Sequence, residues 1–282
     1  PLVRLIDVRI GIHRQVNEAE LRADYEAIVG FFADAIYEMS NGRHKVGQVT
    51  IIEGGVPLPV ERCESFLFIQ YNCKSYRQVD VEWWASQWPR ATASGISMTN
   101  GRVIMGDVFP FKTSYDALAD DNQRGAGYTL AHEYGHYFYG LYDEYKPAKA
   151  STSCRSFSCP RTSDTPVPDS VMHSQWRADT ANDLDWLNFS VAMNFNQRNA
   201  QHRAFGASGW TTLARSPNHD PRDGDRKDLP KRPYYPELGD VAPSSNEASQ
   251  IDALMQPDAH CCLKNLVHIH KLTVIFFLIV AL

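Results

Sequence analysis

His132 and His136 stand four residues apart with Glu133 between them, in the run His132-Glu133-Tyr134-Gly135-His136-Tyr137-Phe138-Tyr139-Gly140-Leu141-Tyr142-Asp143-Glu144-Tyr145. On a helix that spacing puts two imidazoles on one face, a turn apart. Two such rings can grip one zinc ion, and Glu133 beside them is placed to act as general base. By ordinary residue usage His-Glu-x-x-His arises by chance in about one or two percent of chains this long, so its surroundings have to carry weight. Catalytic zinc takes three protein ligands and leaves a fourth position to water, and the helix offers only two. Gly140 can end the helix in a left-handed turn. Asp143 follows that turn and would return a carboxylate to the imidazoles as third ligand. The competing reading is an ordinary amphipathic helix with two surface or core histidines.

Ser170-Val171-Met172-His173 follows a loop rich in Ser, Pro and Thr. In metzincin proteases a methionine in a tight turn packs beneath the zinc-binding histidines, and Met172 fits that order. Methionine is also common core filler.

These residues carry a family resemblance. HEYGHYFYGLYDEY resembles the HExxHxxxGxxDEY signature of the calcium-activated chloride channel regulator (CLCA) family, whose members open with a metzincin-like zinc protease domain. The run FADAIYEMSNGRHKVGQV, from Phe32 to Val49, resembles that domain's first long helix and following strand. Ser170-Val171-Met172 resembles its methionine turn, and Ser208-Gly209-Trp210 a later Ser/Thr-Trp segment. The likeness covers about residues 1–215, specific at the histidine helix and loose elsewhere. It implies zinc at His132, His136 and Asp143, Glu133 as catalytic base, and a peptide or protein substrate, self-cleavage included. Two positions depart from the common metzincin spacing: Tyr139 stands where glycine is usual, and Tyr142 where the third histidine is usual. Astacin-like enzymes carry a tyrosine two residues past the turn methionine; here that residue is Ser174. A tyrosine that polarises the scissile carbonyl would come from elsewhere, with Tyr145 the candidate. Glu144 would either hydrogen-bond a ligand histidine or face solvent.

The elements that must hold these residues predict an α+β or α/β fold of metzincin-like zincin type. Its parts would be a mixed twisted sheet, a long helix, the histidine helix, a methionine turn and C-terminal helices. Residues 2–10 read as a central strand. Apolar residues from Glu18 to Met39 recur at three and four, a long amphipathic helix stopping at Asn41-Gly42. Val46 to Ile52 and Ser65 to Gln70 read as strands. Asn100-Gly101, between residues 95–98 and 102–105, signals a hairpin. It is either an ordinary hairpin or the edge that pairs with extended substrate. Gly127 to Tyr139 is the expected histidine helix, with Gly135 permitting a close neighbour. Asp183 to Phe195 and Ser208 to Leu213 are expected helices.

The chain has 282 residues, 43% hydrophobic and 22% charged, which suits one globular domain plus extensions. The expected division is a protease domain over 1–215, an irregular Pro/Asp/Ser-rich stretch over 216–260, and an apolar tail over 261–282. Net charge is −5 with neither sign clustered, which argues against nucleic-acid binding. Asp220, Asp223, Asp225 and Asp228 miss the EF-hand spacing and read as a solvated acidic loop. Cys63 with Cys73, and Cys154 with Cys159, suit local disulfides of an extracellular, cell-surface or periplasmic protein, with a cysteine zinc site the alternative. Cys261-Cys262 carries no reading. The run Leu272–Leu282 is too short to span a bilayer, which leaves a truncated anchor, a missing element or a non-native end. It also gives no conduction path, so a channel is rejected. Against the protease stands one other class: a catalytically inactive, zinc-stabilised binding or adhesion module of a larger cell-surface protein.

Overall fold

The computed structural model describes residues 3–66, 69–92, 101–110, 114–145, 170–181, 184–191, 199–214, 234–239 and 265–270. In chain order the elements are β1 (Arg4–Ile12), α1 (Ala19–Met39), β2 (His44–Glu53), β3 (Val60–Phe66), β4 (Ile69–Tyr76), β5 (Val81–Ser86), β6 (Arg90–Ala91), β7 (Val103–Phe109), β8 (Tyr115–Asp116), α2 (Asp120–Tyr137), α3 (Val171–Ser174), α4 (Trp176–Ala181), α5 (Ala200–Phe205), α6 (Gly209–Ala214) and β9 (Asn265–His270).

Seven strands form one mixed sheet in the order β6-β7-β5-β1-β2-β9, with β8 on β7. β1 is central and runs parallel to β2 and β5. The β1–β2 connection is α1, the crossover that a parallel pair needs. Along β1 the inward residues Ile6, Val8 and Ile10 are buried, while Leu5, Asp7 and Arg9 face outward, the alternation of a strand covered on one side. α1 lays Ile28, Phe32 and Ile36 into the core. α2 packs on α1 through Gly127, where a Cβ would lie 2.5 Å from Phe31 Cβ and 2.7 Å from the Ile28 carbonyl oxygen. Phe32 meets Tyr134 edge-to-face at 5.2 Å, which ties the long helix to the histidine helix.

The fold class is mixed α/β, and the long helix, the first strand and the second strand fall where the sequence predicted them. Three expectations need correction. Ser65 to Gln70 is not one strand: it holds the end of β3 and the start of β4, which pair antiparallel as a separate two-stranded sheet closed by the Cys63–Cys73 disulfide. The histidine helix begins seven residues before Gly127, because Asp120 and Asp121 in its first turn offset the helix dipole. The helix expected over 183–195 is, where described, a 3-10 turn at Leu184–Leu187 and then irregular chain. There the main chain of residues 188–190 is taken by other segments. Val171 N–H donates to the Asn188 carbonyl, Phe189 N–H to that of Met39, and Trp210 N–H to that of Ser190.

The proposed substrate edge, the hairpin at Asn100-Gly101, falls partly outside the described residues. Residues 93–100 lie outside the described ones, and residues 103–105 open β7. β7 is paired to β6 at Val103 and Ile104, and to β8 at Val108 and Phe109, so neither end of it is a free edge. The chain leaving β5 crosses to that far side over Gly106, where a Cβ would lie 2.5 Å from Gln87 N. Cys154, Cys159, Cys261, Cys262, the acidic residues 220–228 and the apolar run 272–282 lie outside the described residues. Within the stretch expected to be irregular, Tyr235 and Leu238 are buried in the main core. Residues 265–270 add a parallel strand beside β2.

Candidate metal centre

The end of α2 is built around Gly140. Its φ of 65° is left-handed, and Leu141 N–H reaches back six residues to the Gly135 carbonyl at 3.1 Å, folding the chain back against the end of the helix. The reversal serves the site twice. It turns the Leu141 carbonyl onto His136, whose Nδ1 donates to it at 2.7 Å, and it carries Asp143 back over the helix. His132 is held the same way from another segment: its Nδ1 donates to the Val171 carbonyl at 2.8 Å. Both rings are thus fixed with Nδ1 as the donor to a carbonyl and Nε2 turned to the same point.

That point is Asp143 Oδ1, 3.4 Å from His132 Nε2 and 3.3 Å from His136 Nε2. All three residues are buried, yet this oxygen accepts no hydrogen bond. The distances suit a metal better than an ion pair. Ligand atoms about 2.0–2.2 Å from one tetrahedral centre lie about 3.3–3.5 Å from each other. Two imidazoles and a carboxylate are also a donor set zinc favours, so the residues fit the ion. Among the described residues one further cluster, Glu61 with Cys63 and Cys73, has ligand spacing, but its sulfurs are joined in the disulfide.

The electrostatics follow from the geometry. Burial alone would lower the His136 pKa. Asp143, Glu133 and the Leu141 carbonyl reverse this and bring it to about 9. Burial opposes ionisation of Asp143, but the two imidazoles hold its carboxyl well below the usual carboxylate range. Glu133 is buried and its charge acts on His136, which places the expected base beside the ligands.

Met172 is packed under the helix: a Cβ on Gly135 would lie 2.4 Å from its sulfur. The close neighbour expected at Gly135 is therefore the methionine itself. Glu144 takes neither expected position. It is fully buried, and it touches no ligand histidine; its two oxygens accept from the hydroxyls of Ser170 and Ser190. Burial pushes it up to about 7, against the pull of those hydrogen bonds. Tyr145 stands perpendicular to His173, ring centres 6.2 Å apart, and His173 bonds the buried Ser174.

Sequence reasoning missed the residues that hold the 141–145 turn from behind. The Gln201 side-chain oxygen accepts from Tyr142 N–H at 2.9 Å, the Gln201 main-chain N–H donates to the Asp143 carbonyl at 3.2 Å, and the Asn199 side chain donates to the Glu144 carbonyl at 3.3 Å. Gln201 is wholly buried. Polar residues in a short helix carry no spacing signal, so nothing in the sequence singled them out. Among the described residues no helix is long and apolar enough to cross a membrane. No protein-family model, curated protein or solved structure matches the chain.

Proposed function

We propose that this chain is a zinc-dependent metalloendopeptidase with a metzincin-like fold, exported to an extracellular, cell-surface or periplasmic setting. The observation that carries it is the convergence of His132 Nε2, His136 Nε2 and Asp143 Oδ1 on one point, with Glu133 alongside. When bound there, zinc would lower the pKa of a water at its open position and polarise a carbonyl. His132 and His136 hold fixed orientation through their Nδ1 bonds, and Asp143 completes a three-residue set that leaves one position to water. Glu133 accepts the proton of the attacking water and hands it to the leaving amine. A peptide or protein is the substrate, this chain included. A closed structural zinc site would use four protein ligands and need no base. The Cys63–Cys73 disulfide supports an oxidising compartment.

Glu133→Gln tests the assignment. The variant is expected to keep one zinc per chain and lose peptide cleavage by about 100- to 10,000-fold, the range of general acid–base catalysis. Wild type that holds zinc but cleaves neither itself nor a peptide library would instead be a binding or adhesion module.

A further inference from the structure

We propose that Glu144 is the positioning residue of this metal centre, locking the turn that orients His132 to the turn that carries Asp143. The inference rests on the zinc reading of the site. The segment whose Val171 carbonyl orients His132 and the turn that carries Asp143 lie far apart in the chain, and no shared helix or strand joins them. Glu144 joins them through its backbone N–H and its side chain. Its N–H donates to the Met172 carbonyl at 3.0 Å, one residue past the Val171 carbonyl that holds His132. Its side chain accepts from Ser170, whose hydroxyl also accepts the Met172 N–H at 3.2 Å and so starts α3. Its other oxygen accepts from Ser190, whose hydroxyl accepts the Gly209 N–H at 2.8 Å at the start of α6.

The carboxylate therefore sits between two serine hydroxyls, each of which passes a hydrogen bond on to the start of a helix. A rigid network of this kind sets where the chain places Asp143, the residue just before it. Ligand position matters at the level of a few tenths of an ångström, and loss of such outer hydrogen bonds typically weakens metal binding by about 10–100-fold. The carboxylate neither touches a reacting atom nor bonds a ligand ring, so its action is on geometry.

The test compares wild type with Glu144→Ala, Glu144→Gln and Ser190→Ala in the full chain. Zinc affinity is read by competition with a chromophoric chelator, the ligand field by the visible absorption of the cobalt(II) form, and the fold by thermal unfolding of the metal-free protein. Glu144→Ala is expected to bind one zinc about 10–100-fold more weakly and to change the cobalt spectrum. Glu144→Gln, which keeps an acceptor, is expected to recover part of the affinity. Should Glu144→Ala fail to fold, Ser190→Ala, which leaves the carboxylate in place, decides the point by the same two readouts. Variants that melt earlier but keep wild-type zinc affinity and cobalt spectrum would make Glu144 a core anchor only and overturn the inference. Wild type that takes up neither zinc nor cobalt overturns the metal reading itself, a separate outcome.

Discussion

Gly135 and Gly140 show how a missing side chain decides the site. Alanine at 135 would gain about 1 kcal/mol of helix propensity but drive a methyl into the Met172 sulfur, and overpacking costs about 1–3 kcal/mol. Gly135→Ala is expected to lower stability by about 1 kcal/mol, and Met172→Ala in the same chain to relieve the clash. A double-mutant cycle by denaturant unfolding that shows simple additivity would remove this contact from the account. Alanine at 140 must adopt a φ of 65°, at a cost of about 1 kcal/mol. Gly140→Ala should weaken zinc binding more than it weakens the fold, because it moves the Leu141 carbonyl and Asp143 together. At this scale much was legible. His132, His136, Gly140 and Asp143 announced themselves by spacing, and the structure brings the side chains of His132, His136 and Asp143 together. Glu144 was singled out by its place beside Asp143, but its partners were not legible, because Ser170 and Ser190 are distant in sequence and of a residue type found everywhere.

Elements were legible where one face of one segment sufficed. α1 needed only its own apolar repeat. The segment from 183 to 195 has a similar repeat, yet its backbone is drawn off by Val171, Met39 and Trp210, which local pattern cannot show. The N-terminal half of α2 carries few apolar residues, so its helical state rests on acidic charge and on packing against α1 at Gly127. Just past the other end of α2, Tyr139 is fully buried. Its hydroxyl meets His44 Nδ1 at 2.7 Å, and His44 Nε2 donates to Glu237 at 3.1 Å. Burial lowers the His44 pKa to about 4, with Glu237 opposing. The folded value lies below the unfolded one of about 6.5, so the unfolded chain binds the extra proton. Stability should hold above about pH 6.5 and fall by about 3 kcal/mol as pH drops from there toward 4. Unfolding of His44→Gln over the same range should show a flatter fall; an identical slope would take His44 out of the acid response.

At the scale of the whole molecule the sheet and the disulfide hairpin are separate bodies of structure. Among the described residues β3 and β4 pair only with each other and carry the crosslink, while the candidate metal centre rests on α2 and the segments packed beneath it. A ten-residue crosslinked loop is worth at most about 2–3 kcal/mol. Cys63→Ser with Cys73→Ser is therefore expected to loosen the hairpin, seen as faster amide exchange there, with zinc affinity unchanged. Loss of zinc binding in that variant would show a coupling that the topology does not contain. The sheet order itself was not legible, because β5, β6 and β8 are short and β9 joins from far along the chain.

Tyr235 donates its hydroxyl to the Phe138 carbonyl, the last turn of the histidine helix, and Glu237 pairs with Arg4 and His44. Whoever trims this protein for expression should leave those residues on. A chain cut at 214 would strip the lid from the helix terminus, uncap a buried carbonyl and strand a buried imidazole, so the smallest stable piece must reach at least Gly239.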